Sequence, residues 1–275
     1  MIARRTFLKG ASVAAVGAMS LRESYAQQVS NSTGTEPPKW KAPANACDCH
    51  MHIYDPERFP MPPSKRMPPS NATLAHYRAL QKRIGTTRTV VVQPRNYAID
   101  NRVTLDAIAQ LGNARGVAVL HPTVSDAELK TLHQGGIRGI RFTLGDPATA
   151  VVKVDMIEPL AKRVVELDWH IPFNAEGGQV VELADILRRL PTQMVFDHLG
   201  NPTLPAGVDH PSHGILRRLV DKGRTWIKLS GAYSNSKSGP PYPEATRTAR
   251  AWVAAAPERL VWGSDWPHPS ERNDN

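Results

Sequence analysis

The stretch RTVVVQPRNYAIDNRVTLDAIAQLGNARGVAVLHPTVSDAELKTLHQGGIRGIRFT, Arg88 to Thr143, decides the fold. It holds three strand-like runs, Arg88–Gln93, Gly116–Leu120 and Gly139–Thr143, separated by helical patterns at Val103–Leu111 and Asp126–Gln134. Ser125-Asp126-Ala127-Glu128 reads as a capping box opening the second helix, and Gly112 and Gly135 stand where the two helices should end. Strands alternating with helices specify a parallel sheet with helices packed over it.

The alternation continues outward in both directions. Further strand candidates are Ala46–His52, Trp169–Asn174, Met194–His198, Thr225–Ser230 and Arg259–Asp265. Helical patterns cover Thr73–Ile84, Met156–Leu167, Val180–Leu190 and Ala245–Ala256. Eight strand runs alternating with helical patterns in one domain-sized chain predict a (β/α)8 TIM-type barrel, not an open doubly wound sheet. No GxGxxG follows any strand, so the dinucleotide-binding fingerprint is missing. His50, His52, Gln93, Asn174, His198, Ser230 and Asp265 all fall at the C-terminal ends of strands, where a parallel barrel carries its chemistry. In the last strand Leu260 and Trp262 should face outward and Val261, Gly263 and Asp265 inward. The residues after Asp265 contain Pro267 and Pro269 and cannot build an eighth helix. The sequence thus reads as a barrel without that helix, either truncated at its C-terminus or covered there by a second subunit of a homo-oligomer.

At 275 residues, 41% hydrophobic and 21% charged, the chain has the composition of a globular enzyme. The net charge is +9 and scattered, with no Lys/Arg run, which excludes a nucleic-acid patch. Residues 1–26 read as a twin-arginine signal peptide. Arg4-Arg5-Thr6-Phe7-Leu8-Lys9 precedes a mildly apolar stretch from Ala11 to Leu21, and Ser24-Tyr25-Ala26 offers a cleavage site. That stretch is too short for a permanent membrane anchor. The expectation is export through the twin-arginine machinery to the periplasm, a polar linker over 27–45 and a barrel domain over 46–275. Removing the signal takes four basic residues and one acidic, leaving a net charge of about +6. Cys47 and Cys49, one residue apart, share a strand face near the ~7 Å limit for a disulfide. They read as buried, unpaired apolar side chains.

Three motifs carry the chemistry: Asp48-Cys49-His50-Met51-His52, Phe196-Asp197-His198-Leu199-Gly200, and Trp262-Gly263-Ser264-Asp265-Trp266-Pro267-His268-Pro269. Alternation puts Asp48, His50 and His52 on one face, so two imidazoles share a substrate or a metal. His121, His133 and His170 read as structural, and His76, His210 and His213 as surface or loop residues. Lys228 on the seventh strand either contacts substrate or, the favoured reading, makes a salt bridge to a neighbouring strand. Glu176 reads as a loop carboxylate in solvent.

These motifs resemble the amidohydrolase superfamily, in its lactone-processing branch of 2-pyrone-4,6-dicarboxylate lactonases and galactarolactone isomerases. VVVQPRNYAIDNR (90–102), GIRGIRF (136–142) and IKLSGAYSNSKSGPPY (227–242) agree, so the likeness runs from about Ala46 to Pro269. The resemblance implies a (β/α)8 barrel that opens or isomerises a small lactone, with Asp265 as general base. It further implies that His198 and Arg141 polarise the carbonyl, that His50 and His52 line the floor, and that Gln93, Arg95 and Asn174 meet the substrate. The branch's dicarboxylate lactonases use an arginine cluster with tyrosines and a serine. Here Pro147, Asn201 and Ser234 stand at arginine positions, Met67 and Asn174 at tyrosine positions, and Arg95 at the serine position. With few guanidiniums left, a sugar-acid or related carboxylated lactone fits better than a pyrone dicarboxylate. Metal-dependent members add a fifth-strand His or a fourth-strand Lys, where this chain has Asn174 and Arg141. No cofactor is therefore the favoured expectation. The alternative is a zinc ion held by His50, His52 and Asp265, in a metal-dependent amidohydrolase or decarboxylase. A non-catalytic periplasmic binding barrel is the third reading.

Overall fold

The computed structural model describes residues 28–63, 68–145 and 150–270. The expected signal peptide, Met67 and Pro147 lie outside these residues. In chain order the elements are β1 (Cys47–Met51), α1 (Leu74–Ile84), β2 (Arg88–Val92), α2 (Arg102–Leu111), β3 (Ala114–Ala118), α3 (Asp126–Gln134), β4 (Ile137–Ile140) and β5 (Phe142–Thr143). There follow α4 (Ile157–Val164), β6 (Ile171–Asn174), α5 (Gly177–Glu182), α6 (Ala184–Arg189), β7 (Met194–Phe196), α7 (Pro211–Asp221), β8 (Thr225–Leu229), α8 (Pro243–Ala255) and β9 (Leu260–Trp262).

All pairings are parallel, in two sheets ordered β1-β2-β3-β4 and β5-β6-β7-β8-β9. Two sets of contacts join them. Gly139 on β4 bridges His170 just before β6. At the other side Met51 bridges Trp266, with Asp265 N–H donating to the His50 carbonyl and His52 N–H to that of Trp266, both at 2.8 Å. Glycine permits both approaches. A Cβ on Gly139 would lie 2.7 Å from the His170 carbonyl oxygen, and one on Gly263 would lie 2.5 Å from His50 Cβ. The strand expected over Gly139–Thr143 is therefore two pieces in different sheets, interrupted at Arg141.

The helices form where an apolar stripe meets these sheets. In α4 the buried residues are Ile157, Leu160, Ala161 and Val164, the spacing of one helix face. Ser125 caps α3 by accepting from Glu128 N–H, as its motif predicts. Two expectations need correction. Val180–Leu190 is two short helices meeting at Leu183, and α7, opened by Pro211 and capped by the His210 side chain, carried no strong signal. The core is apolar and aromatic, including stacked Phe142, Phe173 and Phe196. Trp262 is 46% exposed while Gly263 and Asp265 are buried, in line with the expected parity; Val261 is only half-buried. Cys47 and Cys49 are unpaired, as expected, but only half-buried.

Residues 28–34 pack on the domain. Val29 is buried, the Ser30 carbonyl accepts from Trp266 Nε1 at 2.8 Å, and the Asn31 carbonyl pairs with His268 Nδ1 at 3.1 Å. Asn31 also donates to the carbonyls of Ser70 and Asn71, and Arg83 donates to Ser32 and Gly34.

Candidate active site

Alternation along β1 buries Asp48 and His50 on one side, and His52 follows beyond the strand end. Asp48 does not reach the cleft. Its carboxylate accepts from His50 N–H, from the Ser264 N–H and hydroxyl, and from Tyr77 OH, latching β1 to the segment after β9. That latch places Asp265 opposite the histidines. His50 Nε2 and His52 Nε2 are 3.2 Å apart, and each is 3.4 Å from Asp265 Oδ1. His198 pairs through Nδ1 with Ser230 Oγ at 2.9 Å and lies 3.9 Å from Asp265 Oδ2. Tyr233 OH donates to Asp265 Oδ2 at 2.6 Å. Asp265 Oδ1 is buried and makes no hydrogen bond among the described residues.

Beneath this group lies a buried charge network. Asp197, at the end of β7, accepts from Arg141 Nε at 2.9 Å through Oδ2, and its Oδ1 is 2.8 Å from Lys228 Nζ. Lys228 Nζ also lies 2.9 Å from His50 Nδ1. Lys228 thus makes the inter-strand ion pair favoured from its sequence position and does not face the cleft.

Burial alone would push the Asp265 carboxyl upward, but His198, His52 and His50 together hold it well below the usual carboxylate range. Asp197 follows the same pattern, its burial overcome by Lys228, His50 and Arg141. Burial lowers His50, with Lys228 adding to the effect, and burial lowers His198. His170 is pushed down to about 4, first by burial and then by Lys228. A neutral buried histidine resists protons that the unfolded chain takes up near pH 6.5. Stability from these groups is therefore full above pH 6.5 and is lost as pH falls from there towards about 4. The unfolding free energy from urea titration should be level above pH 6.5 and fall between pH 6.5 and about 4, at up to roughly 1.4 kcal/mol per pH unit for each such histidine. A free energy unchanged over that range would show that these rings take up protons as readily in the folded protein as in the unfolded chain.

His52, Arg95, Arg141, Asn174, His198 and Asp265 line one cleft of about 480 Å³ at the C-terminal ends of the strands. Two of the sequence-predicted residues stand apart. His50 is fully buried below the cleft. Gln93 turns its amide inward, donating to the carbonyls of Ala98 and Asp100 and accepting from Thr104, which braces the loop after β2, while Arg95 lines the cleft. Glu176, read as a solvent carboxylate, is exposed, at the rim of the cleft, and it caps α5. Asn201 donates to Asn174 Oδ1 at 2.7 Å, so the position after β6 is occupied by a paired amide. Tyr233 and Asp197 were not singled out from sequence. Asp197 sits inside the FDHLG motif, where a buried acid next to a histidine is a detectable signal.

The three donors nearest one another fit a divalent metal in spacing. Zinc–ligand distances of 2.0–2.1 Å with tetrahedral angles place ligand atoms roughly 3.3 Å apart, close to the 3.2 and 3.4 Å seen for His50, His52 and Asp265. His50, His198 and Asp265 also bring one donor atom each within 4.8 Å of one another.

Parallel strands that gather histidines, an ionised aspartate and an arginine at one cleft define a hydrolytic enzyme. Residues 47–275 match the amidohydrolase family model, and the chain belongs to that family. It is 36% identical over 244 residues to the 2-pyrone-4,6-dicarboxylate hydrolase of Comamonas testosteroni, covering 85% of this chain and 80% of that one. It is 29% identical to the D-galactarolactone isomerase of Agrobacterium fabrum, covering 84% and 79%. An apo crystal structure from Agrobacterium tumefaciens superposes with a TM-score of 0.80 at 28% identity, over 90% of this chain and 86% of that one.

Proposed function

We propose that this enzyme opens or isomerises a small lactone bearing a carboxylate, with a sugar-acid lactone as the best fit. The observation that carries the reading is Asp265 Oδ1, buried, ionised and without a hydrogen bond among the described residues, in a cleft shared with His198 and Arg141. A carboxylate so placed accepts a proton from water as the water oxygen attacks the lactone carbonyl carbon. His198 and Arg141 donate to the oxygen on which charge develops. The ring C–O bond then breaks, the ring oxygen takes the proton from Asp265, and the new carboxylic acid ionises. In isomerisation a substrate hydroxyl replaces water as the attacking group. Arg95 and Arg141 suit one anionic group, while the Asn174–Asn201 amide pair suits hydroxyls. The names of the relatives support lactone chemistry.

We also propose that the two sheets close into a (β/α)8 barrel, a reading supported by the hydrogen bonds of His52 and Asp265 across one seam and the Gly139–His170 bridge across the other. The Arg4-Arg5 motif supports periplasmic export by the twin-arginine pathway.

The test is a panel of sugar-acid and muconate-type lactones, read with a pH indicator for ring opening and by proton NMR for isomerisation. No change in any lactone, with turnover of an amide or a carboxylated aromatic compound, would overturn the reading. The second reading is a metal-dependent hydrolase or decarboxylase, favoured by the ligand-like spacing of His50, His52 and Asp265. A divalent metal there would supply Lewis acidity to the carbonyl or to water.

Arg141→Met should lower kcat/KM by roughly 10²-fold, the loss typical of one donor to a developing oxyanion. Arg138→Met should change it little, because that guanidinium points away from the cleft to the carbonyls of His133 and Ile137. Equal small effects from both would remove Arg141 from the site.

A further inference from the structure

One residue sets the direction of the hydrogen bonds that run through the histidine pair. Lys228 is 3% exposed, with Nζ 2.9 Å from His50 Nδ1. An ammonium has three donors and no acceptor, so His50 Nδ1 must accept and the neutral ring carries its proton on Nε2. At the far end His52 Nδ1 lies 2.8 Å from the Val92 carbonyl, which can only accept. His52 therefore carries its proton on Nδ1 and presents a bare Nε2. The two Nε2 atoms are 3.2 Å apart, one a donor and the other an acceptor, so every proton in the series Lys228, His50, His52, Val92 has a consistent place. The opposite tautomer of His50 would need its Nδ1–H to reach Asp197 Oδ1. That oxygen is 3.3 Å away and is already ion-paired with Lys228 Nζ at 2.8 Å.

The proton on His50 Nε2 lies where a metal in the His50–His52–Asp265 triangle would need a lone pair. We propose that Lys228 is a positioning residue that keeps the proton on His50 Nε2 and thereby holds a ligand-spaced triangle in a metal-refusing state. Without the ammonium, His50 turns its Nδ1–H to Asp197, Nε2 becomes a ligand, and the triangle takes zinc. The cation adds to the effect by repelling a second positive charge nearby. Hydrogen-bond partners of ligating histidines tune metal affinity by roughly 10–100-fold, so this contact is strong enough to decide occupancy. The inference rests on the geometry of the centre and not on the lactone reading. A failed lactone panel leaves it standing, and a failed metal test leaves the lactone reading to the panel.

The test uses the full chain, stripped of metal and labelled with ¹⁵N-histidine. Nitrogen NMR of the wild type should show His50 protonated on Nε2; a His50 proton on Nδ1 overturns the proposal and needs no variant to fold. Zinc affinity is then measured by competition with a chelator. Lys228→Met should bind one zinc per chain at least ~10-fold more tightly than wild type, whereas Lys228→Arg, which keeps a cationic donor, should bind as weakly as wild type. Equal zinc affinity in wild type and Lys228→Met would also overturn it.

Discussion

Asp265→Asn should lower lactone turnover by about 10²-fold or more, the loss expected for a missing general base. An amide of the same shape can still accept from Tyr233 OH, which holds the side chain 2.6 Å away, so position is kept while basicity is lost. The backbone around it is fixed by Asp265 N–H to the His50 carbonyl and by His268 N–H to the Asp265 carbonyl, neither of which the substitution touches. Circular dichroism and the melting curve should therefore report a folded protein. Loss should appear in kcat more than in KM, since the proton is transferred in the chemical step. Near wild-type turnover in a folded variant would take Asp265 out of the mechanism.

Asp197→Ala should be the most destabilising change in the centre. The carboxylate is 0% exposed and balances two buried cations, Arg141 at 2.9 Å and Lys228 at 2.8 Å. Removing one partner of a buried ion pair costs about 3–5 kcal/mol, because the remaining charge is left uncompensated in a medium that solvates it poorly. Against a net stability of about 5–15 kcal/mol, that is about a fifth of the whole or more. Urea unfolding with the slope held constant would measure it. A loss under about 1 kcal/mol would mean that water reaches Lys228 and Arg141, contrary to their burial.

Much of this was legible in the sequence because two periodicities carry it. Strand alternation put Asp48, His50 and His52 on one face, and capping at Ser125 marked a helix start to the residue. Strand ends also pointed to His198 and Asp265, and the family resemblance to Arg141; all three share the cleft. What periodicity cannot give is the choice of hydrogen-bond partner. Gln93 has the right strand-end position, yet its amide braces a backbone loop; Asp48 shares the histidine face, yet latches Ser264 and Tyr77. Tyr233 reaches Asp265 from a loop after β8, where no repeat predicts direction. The split at Arg141 was hidden because a strand interruption at a glycine contact leaves the apolar pattern intact.

The seam between β1 and the segment after β9 has a consequence for how the molecule comes into being. Asn31 and His268 touch across 237 positions of chain, and Ser264 binds Asp48 across 216. Contacts of such long separation carry a large loop-closure cost, which falls once the strands between them are in place. Until that seam forms, the histidines of β1 have no Asp265 beside them. The grouping of His50, His52 and Asp265 is complete only when the two distant segments meet.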